Sequence, residues 1–360
     1  MPITTATRQF LVHCLRAYLT GETAPLPVPL DEADWDALIE LAAFHRVAPL
    51  LHRSLRGAGP HPPHPKLEAY VRSASSRGLL LTGELLRLLK GWDAAGVQAI
   101  PFEGPALAVR LYGDPALRHF DDLDFLVRAA DFPAAREAVL ALGYRPSNQH
   151  SYSETFIQTR AGIEITLDLH WHFLIKPTVF PFTPFLEAVF ARSESFSLGG
   201  HTVRTFSTED LLLFLCVHGS KHLWLRLQWL CDAAQLLYTR PDLDWAQVMA
   251  QAKSSGGRGL LYSGLYLSND LLGVPLPPDI EQAVRRDRTT VHLAKRVKRQ
   301  LFEAPLDNNK PWNESSVALQ FIDRPTDRFT YFPRLWWNNR SSTFDKSLTS
   351  SPANQPTQGV

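Results

Sequence analysis

The sequence predicts an α+β protein in which a small mixed sheet is flanked by N-terminal and C-terminal helical regions. Three observations carry that expectation. Apolar residues recur at helical spacing through the first 95 positions. The period shortens from Val97, where alternating segments begin, and the helical spacing returns after Ser207.

Residues 8 to 19 have the spacing of a helix, and Gly21 through Pro29 break it. A second helix opens at Asp31, with acids crowded in its first turn where the helix dipole favours them, and Trp35, Leu38, Ile39 and Ala42 share one face. Another follows over Val47 to Leu55. Gly57 to Pro65 reads as a stiff linker, and Lys66 to Ala95 as a long helix stopped by Gly96 in the left-handed cap position. Residues 1–95 form the expected N-terminal helical region.

A strand over Val97 to Phe102 leads into a turn at Gly104 and a helix from Pro105 to Tyr112, with proline at a first-turn position that needs no N–H donor. A second strand, Leu123 to Val127, carries Asp122 and Asp124 at its start, and a helix over Phe132 to Leu142 ends at Gly143. Two further strands, Tyr152 to Thr159 and Ile163 to Phe173, join through Arg160-Ala161-Gly162. The later one has Ile163, Ile165, Leu167, Leu169, Trp171 and Phe173 on one face, and Glu164, Thr166, Asp168, His170 and His172 on the other. Residues 174 to 200 show prolines and little pattern before a short strand at 201 to 206, which completes an α/β core over 96–206. Ser207-Thr208-Glu209-Asp210 then resembles a capping box. It opens a helix running through Trp224, and further helices are expected at 227 to 238, 244 to 253, 259 to 272 and 278 to 302, a C-terminal helical region of 207–303. Residues 304–340, including the aromatic stretch Arg328 to Trp337, are expected to pack on the body. The tail 341–360, rich in Ser, Thr, Asn, Pro and Gln, is expected to be disordered.

Lys and Arg number 37 against 36 Asp and Glu, so no global basic field argues for general nucleic-acid binding. Cys14, Cys216 and Cys231 follow no metal-ligand spacing, which fits free thiols in a reducing cytoplasm. No signal-peptide pattern opens the chain and no run approaches the roughly 20 apolar residues that cross a bilayer. The expectation is a cytoplasmic protein without a membrane partner. G-x-S-x-G and Walker patterns are absent.

Asp122 and Asp124 are one residue apart on a strand, so their carboxylates share a face while Leu123, Phe125 and Val127 share the other. Paired anions there need a compensating cation, and hard oxygen donors suit Mg²⁺ or Mn²⁺ rather than zinc. Taken by itself, the D-x-D also reads as a solvated turn. Asp168 lies on a polar strand face that lines a cleft or meets solvent, with Glu164 a weaker substitute. His218 and His222 are four apart on one helix face. Gly219 stands where a zinc protease motif needs Glu, so they read as hydrogen-bonded packing residues, and Lys221 between them reads by itself as a surface cation. The basic stretch Lys295, Arg296, Lys298 and Arg299 reads as a solvated helix face rather than an acceptor site.

The order Gly104-Pro105-Ala106, Leu111-Tyr112, Leu117-Arg118, Asp122-Leu123-Asp124-Phe125-Leu126-Val127 resembles the nucleotidyltransferases of the DNA polymerase β-like superfamily, in particular an uncharacterised bacterial group within it. Asp168-Leu169-His170-Trp171, His218-Gly219-Ser220-Lys221-His222 and Trp229-Leu230-Cys231-Asp232 extend the likeness across residues 97 to 240. The resemblance implies a polymerase β-like core that moves a nucleoside monophosphate from an NTP such as ATP to an unidentified acceptor, releasing pyrophosphate. Asp122, Asp124 and Asp168 are then the catalytic and metal-holding residues for Mg²⁺ or Mn²⁺, and Gly104, Pro105, Arg118 and Lys221 the nucleotide-binding ones. Glu103 departs from the pattern by standing where the family carries Lys, with Arg118 and Arg110 the nearest cations to replace that charge. The exchange motivates a second reading, a catalytically idle fold that senses nucleotide or binds protein. A D-x-D glycosyltransferase is a third, disfavoured by the Gly turn, helix and D-x-D order.

Overall fold

The computed structural model describes residues 4–22, 31–57, 64–150, 152–172 and 183–303. Three helices come first: α1 (Thr5–Thr20), α2 (Glu32–Phe44) and α3 (Ala48–Gly57). Thr4 and Asp31 cap the first two through side-chain oxygens that accept from Thr7 N and Asp34 N. The end of α2 is a tight double-bonded stop: Arg46 N donates to Ala43 O and Val47 N to Ala42 O. The left-handed position of that motif, at φ 59°, is occupied by Arg46 rather than by the glycine it favours. The long helix α4 (Pro65–Ala94) follows, and its chain turns back at Gly96, φ 69°. The linker residues 58–63 and the segments 304–340 and 341–360 lie outside the described residues.

The sheet is built from β1 (Ala99–Pro101), β2 (Asp122–Val127), β3 (Arg145–Gln149), β4 (Ser153–Arg160) and β5 (Ile163–His170), in the order β1-β2-β5-β4-β3. Between β1 and β2 lie α5 (Gly104–Tyr112) and a single 3-10 turn, Pro115–Leu117; between β2 and β3 lies α6 (Phe132–Ala141). The central pair, β2 with β5, is parallel and sets Asp122 opposite Thr166 and Asp124 opposite Asp168, while all other pairings are antiparallel. Leu123, Phe125, Ile165, Leu167 and Leu169 are fully buried on the opposite face under α4 and α6. There Trp92 meets Phe125 edge-on at 4.6 Å and donates to Ala135 O at 3.0 Å, joining the two covering helices over the sheet.

Several boundaries differ from the sequence reading. The strand expected to reach Phe173 ends at His170, with Trp171 in a bend whose N–H donates to Tyr152 O. β3 was hidden because its RPSNQ sequence is exposed throughout and has no apolar face; as an edge strand it is held by backbone pairing to β4. The stretch 174 to 200, read as nearly patternless, contains α7 (Thr183–Arg192) and β6 (Glu194–Leu198), which pairs with β7 (His201–Thr205) in a separate hairpin.

The C-terminal helices are α8 (Thr208–Lys221), α9 (Leu227–Thr239), α10 (Trp245–Ser254), α11 (Arg258–Leu272), α12 (Pro278–Arg286) and α13 (Arg288–Glu303). The last two were expected as one helix, since the amphipathic period runs through both. Asp287 breaks it, its side chain accepting from Thr290 N at 2.9 Å as a fresh N-cap. These helices share an apolar core with α1–α3 and with Ile100, Phe102, Leu107 and Leu126, so the carboxylate-bearing face of β2 runs directly into the helical body.

The helix expected to reach Trp224 stops at Lys221, and Leu223 and Trp224 both turn through φ 53°. That turn drives the fully buried Trp224 ring into the space left by Gly219 and Gly264, and a Cβ at Gly219 would lie 2.3 Å from the ring. Gly219→Ala should therefore lower the denaturant unfolding midpoint. The overpacking penalty of about 1–3 kcal/mol exceeds the ~1 kcal/mol that alanine gains in helix propensity. An unchanged midpoint would show that the Trp224 turn is not rigid.

Candidate active site

Asp122 and Asp124 leave β2 on one face, and Asp168 leaves the adjacent strand on that same face because parallel partners share it. The three sequence-predicted acids are thus brought together. Asp168 accepts from Thr155 Oγ1 of β4 at 2.5 Å, and Asp124 Oδ1 lies 3.2 Å from Nε2 of His170. Burial, then Glu103 and Asp168, push the Asp122 carboxyl up to about 6. Burial and the neighbouring carboxylates raise Asp124 further above the usual range, and burial raises Asp168 against the pull of Thr155. His170, between Phe102 and Tyr152, is depressed to about 3 by burial first and by Lys221 second, so it stays neutral. The row of partly buried acids favours a proton or a cation.

Gly104 takes φ 63° at the start of α5, and a Cβ there would lie 3.2 Å from the Asp122 carbonyl, so turn and D-x-D strand are packed backbone to backbone. Pro105 follows in the first helical turn. Glu103 is turned into the helical body: its Oε1 lies 2.9 Å from His218 Nδ1 and its Oε2 3.7 Å from Arg118. Burial disfavours the Glu103 charge, but His218 and Arg118 outweigh it and hold the carboxyl well below the usual range. Arg118 donates from Nε to Asp232 Oδ2 at 3.0 Å, and the Tyr112 hydroxyl donates to Asp232 Oδ1 at 2.8 Å.

Arg118 is therefore committed to two carboxylates in the interior, with its side chain 3% exposed. Arg110 bonds Glu194 of β6 and Thr208 of α8. Lys221 stands at the end of α8, and its charge is felt by Asp124, Asp168 and His170. His218 and His222 pack around Trp229, with His222 stacked on it at 4.9 Å.

The donor set of Asp122, Asp124 and Asp168 is all carboxylate oxygen and fits a hard divalent ion. Among the described residues no three His, Cys, Asp or Glu side chains already stand as a closed metal-holding group. The acids fit such an ion in the chemistry of their donors, and the strand register sets Asp124 opposite Asp168.

Sequence reasoning missed a second group beside these acids. Asp121 meets Arg46 Nη2 at 2.9 Å and His119 Nε2 at 3.2 Å, and its backbone carbonyl accepts from Arg77 Nη2 at 3.0 Å. Its carboxyl is held at about 2, by His119 first. The one signal in the sequence was an arginine directly after His45, where the helix stop favours glycine.

The buried Arg118–Asp232 pair carries a stability prediction. Asp232→Ala leaves the Arg118 guanidinium and the Tyr112 hydroxyl without their partner and should cost about 3–5 kcal/mol in chemical denaturation, and Asp232→Leu with Arg118→Met should recover much of that loss. Equal losses in the single and double variants would contradict the pair's role.

Comparison with curated proteins finds no match. Among solved structures, the chain is similar to ANT(2'')-Ia in complex with adenylyl-2''-tobramycin, at 15% identity over 50% of this chain and 98% of that one, with a TM-score of 0.33. It is also similar to an antigenic nucleotidyltransferase-like protein from Paracoccidioides brasiliensis, at 16% identity over 59% of this chain and 99% of that one, with a TM-score of 0.37. A family described as uncharacterised nucleotidyltransferase matches residues 31–273, well over half of the 360 positions. With the Gly104 turn, the D-x-D strand and the Lys221 helix all inside that span, the chain belongs to this nucleotidyltransferase family.

Proposed function

We propose that the protein transfers a nucleoside monophosphate from an NTP to an acceptor, releases pyrophosphate, and requires Mg²⁺ or Mn²⁺. The observation that carries this reading is the in-register meeting of Asp124 with Asp168, beside Asp122, on one half-buried face. Asp122, Asp124 and Asp168 would hold the metal. When bound, a divalent ion neutralises charge on the reacting phosphate oxygens and stabilises their in-line displacement.

The chain's own groups supply the rest. Amides at the start of α5, with Gly104 and Pro105, present a positive dipole to the phosphates. Lys221 adds a positive charge at the acids and is the nucleotide-binding cation of this reading, whereas Arg118 contributes by holding Glu103 and Asp232. An acceptor oxygen attacks the α-phosphorus, the bond from that phosphorus to the bridging oxygen breaks, and pyrophosphate leaves with the electron pair. The acceptor proton passes to the Asp168 carboxylate, acting as general base.

Glu103 motivates the idle-fold alternative, in which NTP binds but is not turned over. Its pairing with His218 and Arg118 favours the enzyme, because the negative charge is matched within the body. An NTP panel with Mg²⁺ or Mn²⁺ and cell extract as acceptor source, read for pyrophosphate, separates the two. Turnover should fall by about a hundredfold or more in Asp124→Asn and cease on chelation. Lys221→Ala should raise the NTP KM about tenfold, the size of one charge-assisted hydrogen bond, with a smaller change in kcat. NTP binding without pyrophosphate release across the panel would select the idle fold.

A further inference from the structure

The group around Asp121 is built by elements outside the catalytic row. Arg46 comes from the α2–α3 stop, Arg77 from the middle of α4, and His119 from the loop before β2. Two guanidinium groups and an imidazole gather on a single carboxylate, so positive charge exceeds negative there. The cluster is open to solvent, with the Arg46, Arg77 and Asp121 side chains 39%, 33% and 45% exposed. Arg77 Nε is buried, 3.8 Å from Asp121 Oδ1, and makes no hydrogen bond.

Arg46 occupies a left-handed position suited to glycine, and nothing in the helix stop itself needs a long cationic side chain. Such strain, kept on a side chain that meets the residue before Asp122, points to a task for that side chain. Asp121 directly precedes Asp122, and the Arg46 charge reaches the Asp122 carboxyl. We propose that Arg46 and Arg77, with His119, form an oxyanion subsite at the Asp122 end of the carboxylate row. It takes a phosphate group that displaces Asp121 from the guanidiniums. Paired guanidiniums match the geometry of phosphate oxygens, and the orphaned Arg77 Nε offers a donor already in place.

The phosphate belongs either to the NTP tail or to a phosphorylated acceptor. This purpose rests on the nucleotidyl-transfer reading, but the test needs neither metal nor turnover. Pyrophosphate and ATP are titrated separately by calorimetry into the metal-free full-length protein at low salt. The variants are Arg46→Gly, Arg77→Gln and Asp121→Asn. Arg46→Gly removes the side chain while giving the turn its favoured residue, so the fold is kept, and unfolding midpoints verify this.

Pyrophosphate affinity should fall at least tenfold in Arg46→Gly and in Arg77→Gln, and rise several-fold in Asp121→Asn, where the competing carboxylate charge is gone. A parallel fall for ATP assigns the subsite to the NTP tail. Unchanged ATP affinity assigns it to the acceptor's phosphate. No measurable pyrophosphate binding by the wild type, or equal affinity in Arg46→Gly and the wild type, overturns the subsite. Either result leaves nucleotidyl transfer standing if NTP is still turned over.

Discussion

The parallel pairing of β2 with β5 is the constraint on which the site depends. Its register sets Asp124 against Asp168, and because side chains alternate along a strand, a slip of one residue would turn every acid into the core and every core residue outward. What fixes the register is the other face. Leu123, Phe125, Leu167 and Leu169 are fully buried beneath α4 and α6, so slippage would bring charge under Trp92. The hydrophobic face thereby holds the anions together against their own repulsion.

Burial first and the neighbouring carboxylates second raise the proton affinities of Asp122 and Asp124, and burial raises that of Asp168. The surrounding charges are sorted rather than pooled. Glu103, Arg118, Asp232, Tyr112 and His218 form an interior network that pins the Gly104 turn to α8 and α9. Lys221 acts on the acids from one side, and the Arg46 and Arg77 group stands beside Asp122 on another. A residue that breaks the family pattern, Glu103, is thus tied to the helical body.

Much of this was legible before any coordinates. The spacing of Asp122 and Asp124 placed them on one strand face and the alternation around Asp168 placed it on a polar one, because strand periodicity is local information. Their meeting rested on the family resemblance, since parallel pairing across some forty residues leaves no trace in spacing. The resemblance assigns Arg118 to nucleotide binding, but its partner Asp232 lies over a hundred positions away, and only packing shows the guanidinium turned inward. β3 was invisible for a different reason: an edge strand needs backbone pairing and no apolar side chains. The group of Arg46, Arg77 and His119 comes from three separate elements, so no window of sequence contains it.

Manganese binding, read by the loss of the free-ion electron paramagnetic resonance signal in the presence of a non-hydrolysable NTP analogue, tests the three-acid site most directly. Wild-type protein should deplete the free ion, and Asp168→Asn, folded and with an intact Asp122–Asp124 pair, should bind it at least tenfold more weakly. Undiminished binding in Asp168→Asn would mean that β5 lends nothing to the site and that its register with β2 serves only the fold.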